Sequence, residues 1–174
     1  MNYQDLRDAK KLFDAIVGLC DTIDEKDLWE RPDGFEVSLS DILRRDIANF
    51  IMYLSASDGT ISYEELQIYK IITGFGGDTI QSLRDHIKEA NIYSADFEST
   101  PPLIMKILCV AEKNALMWGV DLGQSLLNHM VTLYEIIGKV VISIDGGITY
   151  GEKRDFNIFM HTILEYAADQ DPWK

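Results

Sequence analysis

Four acidic residues occupy equivalent places in two copies of one short motif. Asp58 and Glu65 belong to the first copy, Asp145 and Glu152 to the second, and both offsets, 145 − 58 and 152 − 65, equal 87. Carboxylate oxygens are the ligands that Ca²⁺, Mg²⁺ and Mn²⁺ prefer. If the two copies pack close together, the four carboxylates could bind one such divalent cation.

The motif also has a structural interpretation. Residues 58–65 read Asp-Gly-Thr-Ile-Ser-Tyr-Glu-Glu, and residues 145–152 read Asp-Gly-Gly-Ile-Thr-Tyr-Gly-Glu. The first glycine suits a helix end with positive φ, and the isoleucine can anchor the turn in the core. The Ser or Thr and the last Glu match a capping box at the next helix. This account explains the aspartates least well, because the dipole at a helix end disfavours negative charge there. A turn hydrogen bond, a basic side chain or a cation should offset that charge.

An EF-hand is not expected at either copy. With Gly59 at the sixth position of the loop, the first position is Leu54 and the third is Ala56, and neither side chain has an oxygen. In the second copy the first position is Val141 and the third is Ser143. Both copies therefore lack the leading carboxylate that an EF-hand uses.

Histidines provide a weaker metal hypothesis. His161 with Glu165 and His86 with Glu89 have spacings that can bind a metal, but solvated helices often contain such pairs. A di-iron site would need repeated Glu-x-x-His pairs, which the sequence lacks. His129 lies in an apolar context and is expected to be hydrogen-bonded at the edge of the core. No catalytic motif of a common enzyme class occurs, so no enzyme is predicted.

Composition and charge narrow the functional classes. The 174 residues suit one domain, and 47% hydrophobic with 26% charged residues is ordinary for a globular protein. A formal net charge of −13 disfavours binding to nucleic acid or anionic membranes, since phosphates would be repelled. The acidic charge remains compatible with binding of cations, with binding of basic partners, or with a simple role in solubility.

Several features predict a cytoplasmic protein without membrane insertion. The polar N-terminal segment does not resemble a signal peptide, and the apolar run 140–144 is too short to span a bilayer. Cys20 and Cys109 lie in apolar runs, where we expect buried, reduced thiols.

Helical periodicity dominates the whole chain, and it predicts a single all-α domain over 1–174. An N-terminal helix is expected within 3–30. Ser38 should cap a second helix, Asp78 a fourth and Thr100 a later one. The β-branched run 139–144 is interpreted as a buried helix end.

The motif and its helical context resemble the TerB family of tellurite-resistance proteins over about residues 40–168. The resemblance is carried by residues 56–65 and 143–152. It implies an all-α bundle of about seven helices in two pseudo-symmetric halves, and a cytoplasmic or membrane-associated role in metal and phage stress. It also implies an acidic site for a divalent cation. No enzymatic activity is established for the family. The second copy departs from the first where Gly151 replaces the acidic Glu64.

By matching motif positions, the resemblance assigns the cation site to the same four residues, Asp58, Glu65, Asp145 and Glu152. We therefore expect a non-enzymatic stress-response protein that binds or senses Ca²⁺, Mg²⁺ or Mn²⁺. The alternative is a metal-free protein–protein interaction or scaffold domain with an acidic surface. The sequence names neither the protein partner nor the oligomeric state. Trp173, near the end of the sequence, could contact such a partner.

Overall fold

Helices form all the regular secondary structure of residues 3–123, 125–144 and 149–170, the ranges that the computed structural model describes. Seven of the eight helices in these ranges have ten residues or more, so the predicted all-α fold of about seven helices is confirmed. The helices are α1 (Tyr3–Glu25), α2 (Leu39–Ser55), α3 (Tyr63–Thr73), α4 (Ile80–Glu89), α5 (Ala95–Ser99), α6 (Leu103–Trp118), α7 (Leu126–Ile142) and α8 (Tyr150–Asp169).

The core lies around α2 and α7, which pack against each other and against α1, α6 and α8. Four large aromatic side chains meet at its centre. The Phe50 ring is 5.0 Å from the Tyr134 ring and 4.5 Å from the Phe159 ring, between centroids. Tyr53 packs against the same Phe159 ring. These side chains are fully buried, and together they join α2, α7 and α8.

Helix α1 ends at Glu25, five residues before the end of the predicted N-terminal helix segment. The chain leaves the helix because Asp27 adopts a positive φ of 50°. The Asp24 carboxylate then accepts hydrogen bonds from Trp29 Nε1 and from the Leu39 N–H, both at 2.8 Å. This carboxylate fixes the connection between α1 and α2, and α1 itself packs into the common core.

The predicted cap at Ser38 is confirmed, since its Oγ accepts the Asp41 N–H at 3.1 Å. The prediction for α4 is wrong by one residue. Thr79 is the N-cap, and it exchanges hydrogen bonds with Ser82 in a capping box. Asp78 instead accepts a hydrogen bond from the Tyr69 hydroxyl at 2.8 Å, so its carboxylate ties α4 to α3.

The predicted cap of α6 at Thr100 is also wrong. The helix begins at Leu103, and Pro102 at the N-cap position makes no side-chain cap. Two consecutive prolines explain the later start, because Pro101 precedes a proline and is disfavoured in the helical region. The cap comes from another helix: Asp46 Oδ2 accepts the Ile104 N–H at 2.7 Å.

No helix in the described ranges combines the length and the apolar character needed to cross a membrane. Cys20 and Cys109 are both buried and free, as predicted. Burial raises the pKa of the Cys20 thiol to about 12, with smaller contributions from Asp24 and Asp21.

Candidate functional site

The first Asp-Gly turn follows α2 directly. Gly59 has a φ of 83°, and Ile61 is buried, as the motif predicts. Asp58 Oδ1 accepts hydrogen bonds from the Thr60 N–H at 2.8 Å and from Thr60 Oγ1 at 2.9 Å. These two bonds offset the unfavourable position of the aspartate after a helix end. The Asp-Gly-Thr sequence contains the signal for this turn, because Asp side chains accept hydrogen bonds from the backbone two residues on.

Both predicted capping boxes are present. The Ser62 N–H donates to Glu65 Oε2 at 2.7 Å, and the Thr149 N–H donates to Glu152 Oε2 at the same distance. The reciprocal bonds to the Ser and Thr hydroxyls measure 3.1 and 3.2 Å. Glu65 and Glu152 are only 4% and 5% exposed, so each copy buries a carboxylate at the start of a helix.

The first turn and the start of α8 touch through Gly151. A Cβ added to Gly151 would lie 3.1 Å from the carbonyl oxygen of Ser57, which is tighter than ordinary van der Waals contact. This contact accounts for the glycine that replaces the acidic Glu64 of the first copy. The structure therefore brings the Asp58 turn next to the helix that begins with the buried Glu152. Asp145 lies outside the described residues.

Two serine hydroxyls beside this contact lack hydrogen-bond partners in the described ranges. The Oγ atoms of Ser55 and Ser57 are shielded from solvent. An unsatisfied buried hydroxyl costs about 1–3 kcal/mol. A bound ligand that contacts these oxygens would remove that cost, and hydroxyl oxygens are acceptable ligands for hard cations.

The described residues alone do not form a complete acidic metal centre. No group of three or more His, Cys, Asp or Glu side chains is positioned to hold a metal ion within the ranges that the structure describes. Asp58, Glu65 and Glu152 therefore do not suffice as a three-carboxylate site. The predicted site needs Asp145, or it needs main-chain and serine oxygens as well.

The other sequence-based metal candidates show ordinary contacts. His161 Nε2 is 3.2 Å from Glu165 Oε1, and both side chains are largely exposed, as in a solvated helix pair. His129 Nδ1 lies 3.0 Å from a main-chain oxygen one turn earlier, so its predicted hydrogen bond is confirmed. Leu54 and Val141, the first EF-hand positions, are buried in the core.

Sequence reasoning missed a polar cluster around Asp155, which is 1% exposed. Its carboxylate accepts hydrogen bonds from the Tyr93 hydroxyl at 2.8 Å and from Arg154 Nε at 2.7 Å. Nearby, the Tyr53 hydroxyl donates to Glu98 Oε2 at 2.7 Å. Burial, followed by the hydrogen bond to Asp155, raises the pKa of Tyr93. The sequence offered no signal for the bonds from Tyr93 to Asp155 and from Tyr53 to Glu98, because these partners lie 62 and 45 residues apart along the chain.

No family model, curated protein or solved structure matches this chain. The resemblance to TerB is therefore a hypothesis that rests on the two motif copies and their helical context.

Proposed function

We propose that this protein is a non-enzymatic binding module whose two Asp-Gly turns bind a divalent cation, Ca²⁺, Mg²⁺ or Mn²⁺. The observation that supports the proposal is the 3.1 Å approach between the Gly151 Cβ position and the Ser57 carbonyl oxygen. This approach brings the first turn against the helix that carries the second motif. The link to stress response and tellurite resistance rests only on the resemblance to TerB.

The proposed ligands are oxygen atoms. Asp58, Glu65, Asp145 and Glu152 would contribute carboxylates, and Ser57 could add its carbonyl or hydroxyl oxygen. Calcium accepts six to eight oxygen ligands, including main-chain carbonyls and water. The two glutamates would have to bind the cation and also accept the hydrogen bonds of their capping boxes. We therefore expect the affinity for the cation to be modest. The net charge of −13 raises the local concentration of cations around the protein.

Calorimetric titration with Ca²⁺, Mg²⁺ and Mn²⁺ tests the proposal, with a thermal-shift assay in parallel. The variant Glu65→Gln with Glu152→Gln removes two charges but keeps an oxygen that can complete each capping box. Asp58→Asn likewise keeps the oxygen that accepts from Thr60. These variants should fold like the wild type and lose at least about tenfold in cation affinity. Glu64→Gln, on the exposed first turn of α3, is the matched control and should bind normally.

Absence of both heat and thermal shift with all three cations would rule out the metal site. Binding that survives the isosteric substitutions would rule out these carboxylates as ligands. In the first case the metal-free interaction domain becomes the leading hypothesis, and in the second the cation is bound by other residues.

A further inference from the structure

A cavity of about 360 Å³ lies between α2, α5 and the start of α6. Phe159 of α8, which is almost fully buried, lines its inner side. Phe97 of α5 stacks on the Phe159 ring with 5.9 Å between centroids, and Pro101 and Pro102 add apolar surface before α6. Apolar walls with a few charged or polar groups are typical of sites for small organic molecules, and this volume is sufficient for one.

The charged side chains that line this cavity are both acidic in the described part of the chain. They are Asp46, which is half-buried on α2, and Asp96, which is exposed on α5. Neither carboxylate forms an ion pair with a Lys, Arg or His of the described ranges. The cavity therefore presents negative charge that no basic side chain in its lining neutralises.

The surroundings of Asp46 compensate its charge only in part. Its carboxylate accepts main-chain hydrogen bonds from Ile104, at 2.7 Å, and from Leu103, and the charge of the exposed Lys106 also acts on it. The charge of Asp46 contributes to the raised pKa of the buried Tyr134 hydroxyl. That hydroxyl has no hydrogen-bond partner in the described ranges, so it does not donate to Asp46. Burial outweighs the favourable contacts and raises the pKa of Asp46 to about 6.

A carboxylate at this position costs stability that an amide would not. An asparagine oxygen could accept the Ile104 N–H at the start of α6 without burying a charge. Ionisable groups that lie in a cavity and have a perturbed pKa are candidates for functional sites, and such groups often reduce stability. Capping of α6 therefore does not by itself account for the acid at position 46.

The wall that α5 contributes to the cavity is anchored to two long helices. Thr162 Oγ1 of α8 donates to the Glu98 carbonyl oxygen at 2.7 Å. The Tyr53 hydroxyl of α2 donates to Glu98 Oε2, also at 2.7 Å. Because these bonds fix α5 against the core, the cavity is formed before any ligand binds, which lowers the cost of binding.

We propose that this cavity binds a small organic cation with one ammonium group and an apolar body. The ammonium group would pair with the Asp46 carboxylate, and the apolar body would pack against Phe97 and Phe159. Charge selects this occupant, because an anion would meet two acidic side chains and a neutral molecule would leave the Asp46 charge desolvated without a partner. The cavity is separate from the Asp-Gly turns, and the proposal does not depend on a metal ion there.

Three probes of similar size test the role of charge: the cation benzylammonium, neutral benzyl alcohol and the anion benzoate. Each is titrated into the full, isotope-labelled chain at about pH 8, where Asp46 is ionised, and the amide signals are followed by nuclear magnetic resonance. The Leu103 and Ile104 amides report on the site because they donate to Asp46. Benzylammonium should bind with a Kd of about 0.1–1 mM, and the other two probes at least about tenfold more weakly.

The variant Asp46→Asn tests the carboxylate directly, since it keeps an oxygen for the Ile104 N–H. It should weaken binding of benzylammonium at least about tenfold and leave the weak binding of benzyl alcohol unchanged. Asp41→Asn, at an exposed position of the same helix outside the cavity, is the matched control and should bind like the wild type. Binding to the wild type should also weaken as the pH falls below about 6, because Asp46 then becomes neutral.

Three outcomes would overturn the proposal. The first is equal binding of benzylammonium and benzyl alcohol, and the second is binding of benzylammonium that persists unchanged in Asp46→Asn. The third is the absence of any change in the Leu103 and Ile104 signals at benzylammonium concentrations of about 10 mM, well above the expected Kd.

Discussion

Asp46 is the residue whose acidity depends most clearly on the tertiary structure. Burial raises the pKa of its carboxyl from the ordinary 3.8 to about 6, while hydrogen bonds from the Ile104 and Leu103 main chain and the charge of Lys106 oppose the shift. A folded pKa above the unfolded value means that folding favours the neutral acid. The stabilisation that neutral Asp46 provides is complete below about pH 4 and is lost as the pH rises through about 6.

We expect Asp46→Asn to increase the free energy of unfolding at pH 8 by about 1–3 kcal/mol. The asparagine oxygen can still accept the Ile104 N–H, and no charge is buried. Below about pH 4 the two proteins should have similar stability, because Asp46 is then neutral. Urea unfolding at a series of pH values would measure the difference.

Asp41→Asn is the matched control, since Asp41 is exposed in the first turn of the same helix. It should decrease stability slightly at pH 8, because a negative charge there interacts favourably with the helix dipole. If Asp46→Asn also destabilised the protein at pH 8, the favourable interaction of the charged Asp46 carboxylate with the start of α6 would outweigh the cost of burying its charge.

At the scale of elements, α7 and α8 approach each other closely where Phe156 packs on Gly138. A Cβ added to Gly138 would lie 2.2 Å from Phe156 Cε2, so Gly138→Ala cannot be accommodated without movement of the ring. We expect it to decrease the free energy of unfolding by about 1–3 kcal/mol, despite the better helix propensity of alanine. Adding Phe156→Leu should recover part of the loss.

Gly18→Ala provides the control for Gly138→Ala. Gly18 lies inside α1, and a Cβ there meets nothing within 4 Å. This substitution should stabilise the protein by up to about 1 kcal/mol through helix propensity alone. Thermal and urea unfolding of both variants would separate the effect of packing from the effect of helix propensity. If the two substitutions changed the free energy of unfolding equally, the close approach of α7 and α8 would be contradicted.

At the scale of the whole molecule, the two motif-bearing parts of the chain share one core. Helix α1, from the beginning of the chain, packs against α7, and α2 packs against both α7 and α8. We therefore expect one cooperative unfolding transition rather than separate transitions for the two halves. In the variant Trp118→Phe with Trp173→Phe, the buried Trp29 is the sole tryptophan and reports on the connection between α1 and α2.

Urea curves followed by Trp29 fluorescence and by far-ultraviolet circular dichroism should coincide in this variant. Transitions with different midpoints would show that the region around Trp29 unfolds independently of the remaining helices.

Interactions within a few residues could be predicted from the sequence. The boxes at Ser62 with Glu65 and at Thr149 with Glu152 follow from residue types three positions apart. The bond from Thr60 to Asp58 is equally local and was identifiable from the Asp-Gly-Thr sequence. The wrong cap at Thr100 is also local in origin, because Pro101 precedes another proline and is therefore disfavoured in the helical region.

The sequence by itself determined the all-helical character, the hydrophobic faces of the long helices and the caps at Ser38, Ser62 and Thr149, because these depend on contacts within about four residues. Only the tertiary structure decided that Asp46 caps α6, that Gly151 meets the first Asp-Gly turn, and that one face of α6 stays exposed. Each of these features depends on how helices distant along the chain pack together. Such packing is set by the shape of the whole core, and a local pattern does not contain it.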